Sequence, residues 1–134
     1  MKSRIRGSAF KKVLGLNISP ENNPNLIKIL DKFQIVYQPL ENTMGEEQIG
    51  YLCGFKGFEK SSACSDVPLN DECLIFSGLS PKEMGLLLKD LRENKVAVKL
   101  KAIVTESNQR WTLKKLIEQL KWEYNVMNGG GKND

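Results

Sequence analysis

Residues 11–23 read KKVLGLNISPENN and residues 72–84 read ECLIFSGLSPKEM. Apolar β-formers followed by a short loop ending in Ser-Pro thus occur twice, 61 positions apart. Sliding the first half forward by 61 places Val13-Leu14 on Leu74-Ile75 and Ile18-Ser19-Pro20 on Leu79-Ser80-Pro81. The same shift puts Leu26, Lys28 and Leu30 on Leu87, Lys89 and Leu91, and Ile35 and Tyr37 on Val96 and Val98. Five identities in about thirty positions are few, and any two strand–helix units with good caps share features. The apolar phase nevertheless matches through strand, helix and strand, which favours an internal duplication.

Local signals agree with two similar units. Val13, Leu14 and Leu16 predict a strand, and Asn23 as cap with Pro24 behind it predicts a helix carrying Leu26, Ile27, Leu30 and Phe33. Ile35–Tyr37 predicts a second strand, which Pro39 ends or marks as an edge. Residues 44–53 form a weaker helix closed by Gly54. In the second half, Cys73–Phe76 predicts a strand and Ser80-Pro81-Lys82-Glu83 a capping box opening a helix with Met84, Leu87, Leu88 and Leu91. Along Val96–Val104, Val98, Leu100 and Ala102 point one way and Lys99 and Lys101 the other, so one side meets water. Thr112 caps the last helix, with Trp111 and Leu116 at hydrophobic-staple spacing.

Each half therefore reads strand–helix–strand–helix. The expected fold class is α/β, a duplicated unit forming one four-stranded sheet with packed helices, parallel or mostly parallel. If residues 44–53 do not cross the sheet, the second half inverts, and the alternative is a ferredoxin-like α+β plait with helices on one face. The expected organisation is a basic arm at 1–10, one domain at 11–127 with halves 11–53 and 72–124 joined by a loop 54–71, and a tail at 128–134. A loop of that length is unusual in a compact domain unless it is functional or holds short structure of its own.

The totals narrow the function. A chain of 134 residues, 40% apolar and 27% charged, is one ordinary soluble-type domain. It holds no apolar run of about 20 residues, and its first fifteen residues lack a signal-peptide core. The expected location is the cytoplasm, with no membrane partner. Cys53, Cys64 and Cys73 fit neither zinc nor redox spacing, and there is no histidine. Cys64, in the polar run KSSACSD, is the thiol expected to be exposed. The acidic pairs Glu46-Glu47 and Asp71-Glu72 read as solvated, so no constellation for acid–base or metal chemistry stands out. No cofactor or metal site is expected, and an enzyme is disfavoured. The net charge of +4 is concentrated: residues 1–12 carry Lys2, Arg4, Arg6, Lys11 and Lys12 and no acid, leaving 15 basic against 16 acidic residues elsewhere.

The stretch from about Leu74 to Tyr124 resembles a small bacterial family described only as domain of unknown function 3783. The resemblance rests on Leu74-Ile75-Phe76-Ser77-Gly78-Leu79, on Lys101-Ala102-Ile103-Val104-Thr105, and on Asn108, Trp111 and Thr112 before the last helix. Residues 50–58, GYLCGFKGF, also look like what precedes that domain. The resemblance implies no activity and offers no catalytic residues.

Beside the disfavoured enzyme, two functional classes remain, a binding or assembly module and a nucleic-acid-binding protein. If the first and third strands are parallel neighbours, the loops 15–19 and 77–80 lie side by side. Ser77, Gly78, Ser80, Asn108 and Trp111 then surround a pocket for a small anion at paired helix N-termini. Plain capping, loop torsion and the staple account for Ser80, Gly78 and Trp111 equally well, and no Gly-rich phosphate loop is present. Nucleic-acid binding would use Lys2, Arg4, Arg6, Lys11 and Lys12, helped by Lys99, Lys101, Lys114, Lys115, Lys121 and Trp122. Against it, Glu118 and Glu123 interrupt the last helix and the body is neutral. The favoured reading is a non-catalytic binding or assembly module for a small anion or a protein, with a homodimer as one form. Phe55 and Phe58 would be either exposed contacts or a small core under the loop.

Overall fold

The computed structural model describes residues 11–63 and 67–127. In chain order come β1 (Lys12–Leu16), α1 (Asn23–Lys32), β2 (Val36–Leu40), α2 (Ile49–Cys53), β3 (Cys73–Ser77), α3 (Pro81–Glu93), β4 (Leu100–Ile103), a 3-10 turn (Asn108–Arg110) and α4 (Leu113–Asn125). The sheet order is β2-β1-β3-β4. β1 pairs parallel with β2, β3 pairs parallel with β4, and β1 and β3 meet antiparallel at the centre. The α/β class and the single four-stranded, mostly parallel sheet with packed helices are as expected; the antiparallel centre makes the sheet mixed, and helices on both faces rule out the alternative plait. Val13, Leu74 and Phe76 pack under α1 and α3, while Leu14, Leu16 and Ile75 pack under α2 and α4, giving three layers.

The inversion at the centre follows from the connection. α2 has only five residues, and Leu69 N–H donates to the Asn42 carbonyl at 2.9 Å, returning the chain to where β2 ended. The Asn17 amide nitrogen holds the same return by donating to the carbonyls of Leu69 (2.9 Å) and Asp71 (3.1 Å). β3 thus starts at the end where β1 stops, opposite Leu16, and must run against it. Phe55 packs on the core, and the Phe58 ring lies so close over α2 that a Cβ on Gly50 would fall 2.6 Å from it. Both phenylalanines tuck inward.

The ladder is unchanged by the 61-residue shift: Lys12↔Ser77 becomes Cys73↔Leu16, and Leu14↔Ile75 maps onto itself. The left-handed residues Asn17 and Gln34 map onto Gly78 and Lys95. Beyond Lys95 three residues are inserted, since Lys12 pairs with Val36 but Cys73 pairs with Leu100. From there the offset is 64, and Gln48 meets its own equivalent, Thr112, in an antiparallel bridge. The bonds Ile49 N–H to Trp111 O (2.9 Å) and Leu113 N–H to Glu47 O (2.8 Å) exchange under it. Tyr37 is therefore equivalent to Lys101, not to Val98 as the gapless comparison has it.

The helix starts also correspond. The Ser80 hydroxyl accepts from Glu83 N–H at 3.1 Å and Glu83 reaches back to Ser80 N–H at 2.9 Å, completing the capping box. The Ser19 hydroxyl accepts from Asn22 N–H at 3.2 Å and closes the turn that leads into α1, whose N-cap position is Asn22, not Asn23 as expected, and carries no side-chain cap bond. Pro24 has no N–H to continue the ladder, so α1 becomes regular only at Asn23. The Ser19 N–H is taken instead by Glu72 Oε2 at 2.8 Å, which also accepts from the Asn22 amide at 3.0 Å. Under the shift, Glu72–Asn22 is the counterpart of the Lys11–Glu83 ion pair.

Candidate functional site

The two edges of the sheet are chemically different. Val36 N–H donates to Lys11 O and Val104 N–H to Phe76 O. Because parallel ladders alternate, residues 37 and 39 of β2 and 101 and 103 of β4 turn their backbone groups outward. On β2 one outward position is Pro39, which has no donor. On β4 the equivalent is Ile103, half-exposed at 51%. Among the described residues none accepts from the outward N–H of Lys101 or Ile103. The Ile103 carbonyl is occupied by the Asn108 amide at 3.0 Å, which ends the open stretch.

Two adjoining clefts, of about 740 and 370 Å³, follow this edge and share Leu88 and Lys101. Leu88 and Leu91 of α3 form one wall, and Trp111, Leu120 and Tyr124 the other. Arg92, Lys95, Lys99 and Lys101 rim the larger cleft. Lys99 lies over the Tyr124 ring, 5.2 Å from its centre, and Lys101 donates to the Val98 carbonyl at 2.5 Å. Ion pairs among the described residues engage Lys11, Lys32, Lys60, Lys89 and Lys121, and none of the four rim cations. Glu72, the acid in that cleft, already accepts from Ser19 and Asn22.

A second polar group is closed. Lys12, Ser77 and Cys53 are buried where α2 meets β1 and β3, and the Lys12 ammonium donates to Gln38 Oε1 at 3.0 Å. Burial pushes the Cys53 thiol up, against a hydrogen bond from Ser77 and the Lys12 charge. Cys73 is pushed up to about 12, chiefly by burial and then by the Asp71 charge. Both thiols are poor nucleophiles at neutral pH. None of the clefts described reaches this cluster.

The antiparallel centre sends the loops 15–19 and 77–80 to opposite ends of the sheet, so the expected pocket of paired helix N-termini does not form. Ser77 is buried beside Cys53, Gly78 supplies a left-handed turn at φ 81°, and Ser80 is a cap. Asn108 and Trp111 line the smaller cleft along β4, apart from those three. Asn108 also closes the loop after β4 through Thr105, at 2.8 and 3.0 Å. Of the basic set, Lys11 is paired with Glu83 and Lys12 is buried; Lys2, Arg4 and Arg6 lie outside the described residues, as does Cys64. Lys115 stacks on Trp111 and Lys121 pairs with Asp71. Glu47, expected to be solvated, is buried and holds the loop through Ser61 N–H at 2.8 Å. Arg92 and Lys95 were not separable in sequence from an ordinary helix end; only the spacing of Lys95, Lys99 and Lys101 hinted at a common rim. Among the described residues no three Cys, Asp or Glu side chains could hold a metal, and no helix is long and apolar enough to cross a membrane.

The fold and this groove define a small three-layer α/β protein with one open, basic sheet edge. Residues 72–127, the segment that contributes β3, α3, β4 and α4, match the family described as Domain of unknown function (DUF3783). No curated protein and no solved structure matches the chain.

Proposed function

We propose that the chain is a non-catalytic binding module that takes an anionic partner in the groove along β4. The observation that carries this reading is the rim of Arg92, Lys95, Lys99 and Lys101, gathered without an ion-pair partner among the described residues on a body whose charges, these four included, nearly balance. Charges left unneutralised around an apolar cleft favour a ligand carrying negative groups. The exchange of ladder pairs under the 61-residue shift supports reading the two halves as copies of one ancestral unit. On that reading the groove is where the second copy was remodelled.

A thermal-shift titration with citrate, ATP and polyglutamate tests it on the full chain. A ligand at a hundred times its Kd should raise Tm on the order of 10 °C. Arg92→Glu with Lys95→Glu should abolish the shift without lowering the Tm of the free protein by more than a few degrees. No response to any anion overturns the reading. A response confined to RNA or DNA and lost with residues 1–12 replaces it with nucleic-acid binding through Lys2, Arg4 and Arg6.

A further inference from the structure

We propose that the occupant of the groove is an acidic, extended segment of a partner protein, added to β4 as a fifth strand. The inference rests on the groove being the binding site and names what fills it. The N–H groups of Lys101 and Ile103 face away from β3 without an acceptor among the described residues, and the Lys101 carbonyl faces the same way. An unpaired edge of this kind templates another strand. The opposite edge is poorer in donors, because Pro39 has none at the position equivalent to Ile103 and only the Tyr37 N–H faces outward there.

The walls match a strand's alternation. Leu88 lies on the α3 side of β4, and Trp111 and Leu120 lie on the α4 side. A strand laid against β4 points successive side chains to those two sides in turn. Charge selects which strand. A second copy of β4 would bring Lys99 and Lys101 against their own counterparts, and like charges across a ladder are destabilising. Acidic side chains would instead meet Arg92, Lys95, Lys99 and Lys101.

The probe is a fluorescein-labelled octapeptide of alternating valine and glutamate, read by anisotropy and by amide hydrogen exchange. A control peptide of equal charge carries proline in place of the two central valines. Binding should slow exchange at Lys101 and Ile103, and Ile103→Pro, which copies Pro39, should weaken it at least tenfold. The proline peptide should bind at least tenfold more weakly to the native chain. Equal binding of both peptides, or unprotected Lys101 and Ile103 amides in the native complex, overturns strand addition and leaves the anion-binding reading standing. Should Ile103→Pro fail to fold, the exchange measurement on the native chain decides alone. Silence toward both peptides and citrate overturns the binding reading itself.

Discussion

At one end of the sheet face under α2 and α4, Lys12, Gln38, Cys53 and Ser77 stand together. At the other end the equivalent positions hold Cys73, Ala102, Ile117 and Leu16, all buried in the apolar core. The same backbone accepts either set, so the polar set is not demanded by the fold. The opposite face shows a second contrast, in volume. Tyr37 from β2 covers Gly15 so closely that a Cβ there would lie 2.8 Å from the Tyr37 ring. In the second half Phe76 stands where Gly15 does, and Lys101 stands where Tyr37 does. The aromatic ring stands on the edge strand in the first half and on the central strand in the second. With Phe76 filling the core from β3, residue 101 need not cover anything. β4 is therefore free to present a lysine and an open groove, while on β2 the Tyr37 ring is spent covering Gly15 and Pro39 withholds a donor.

The largest effect should come from undoing that exchange. Phe76→Gly, which copies Gly15, removes a fully buried ring and should cost about 3–5 kcal/mol, read as a fall in the urea midpoint. Adding Lys101→Tyr to that variant rebuilds the Gly15–Tyr37 arrangement in the second half and should recover at least half of the loss. The same double variant should weaken anion binding, because it removes the Lys101 charge from the rim. If Lys101→Tyr is equally destabilising with and without Phe76→Gly, the two halves do not share one packing scheme.

Much of this architecture was legible in the chain. The 61-residue phrase located both strand–helix units, the Ser80 capping box and Pro39 as an edge residue, because those signals are local. Strand direction at the centre was not, because it depends on where the loop 54–71 returns. That return is fixed by single long-range bonds from Asn17 and Leu69, which leave no periodicity to read. The three-residue insertion after Lys95 was missed for a similar reason. Val96 and Val98 continue the alternation of a strand, yet both are buried against α1 and α3 before the ladder begins at Leu100. Of the residues read as a pocket, only Asn108 and Trp111 fall on the groove, since the pocket presumed a parallel centre.

Asn22 offers a smaller and more specific test, because it holds the insertion in place. Its amide nitrogen donates to the Ala97 carbonyl at 3.0 Å and its amide oxygen accepts from Ala97 N–H at 3.3 Å. The equivalent residue, Glu83, serves its own capping box instead. Asn22→Ala removes both side-chain bonds to the exposed Ala97 backbone and should cost about 0.5–1.5 kcal/mol. Hydrogen exchange at Ala97 should accelerate, and anion affinity should fall with it, because Lys99 is carried on this segment. Unchanged exchange at Ala97 would mean that the insertion is held by its valines alone.

The smallest effect belongs to the ion pair that mirrors Glu72–Asn22. A hydrogen bond from Lys11, then one from the Ser80 backbone, holds the Glu83 carboxyl below its ordinary value. A carboxyl lowered in the folded state contributes stability above its unfolded pKa and loses it as pH falls through the folded one. Glu83→Gln should therefore lower Tm slightly at pH 7, and the gap to the native chain should close as the solution is acidified below the ordinary carboxylate range. Lys11→Met should move the Glu83 carboxyl back up in an NMR titration while leaving the Ser80 hydroxyl bond in place, because that cap needs only the Glu83 N–H. Since both side chains are about one-third exposed, added salt should shrink the Tm gap between native and Glu83→Gln chains. A gap insensitive to both salt and pH would assign Glu83 to capping alone, and the first half's use of a neutral Asn22 at that position would then carry no electrostatic difference.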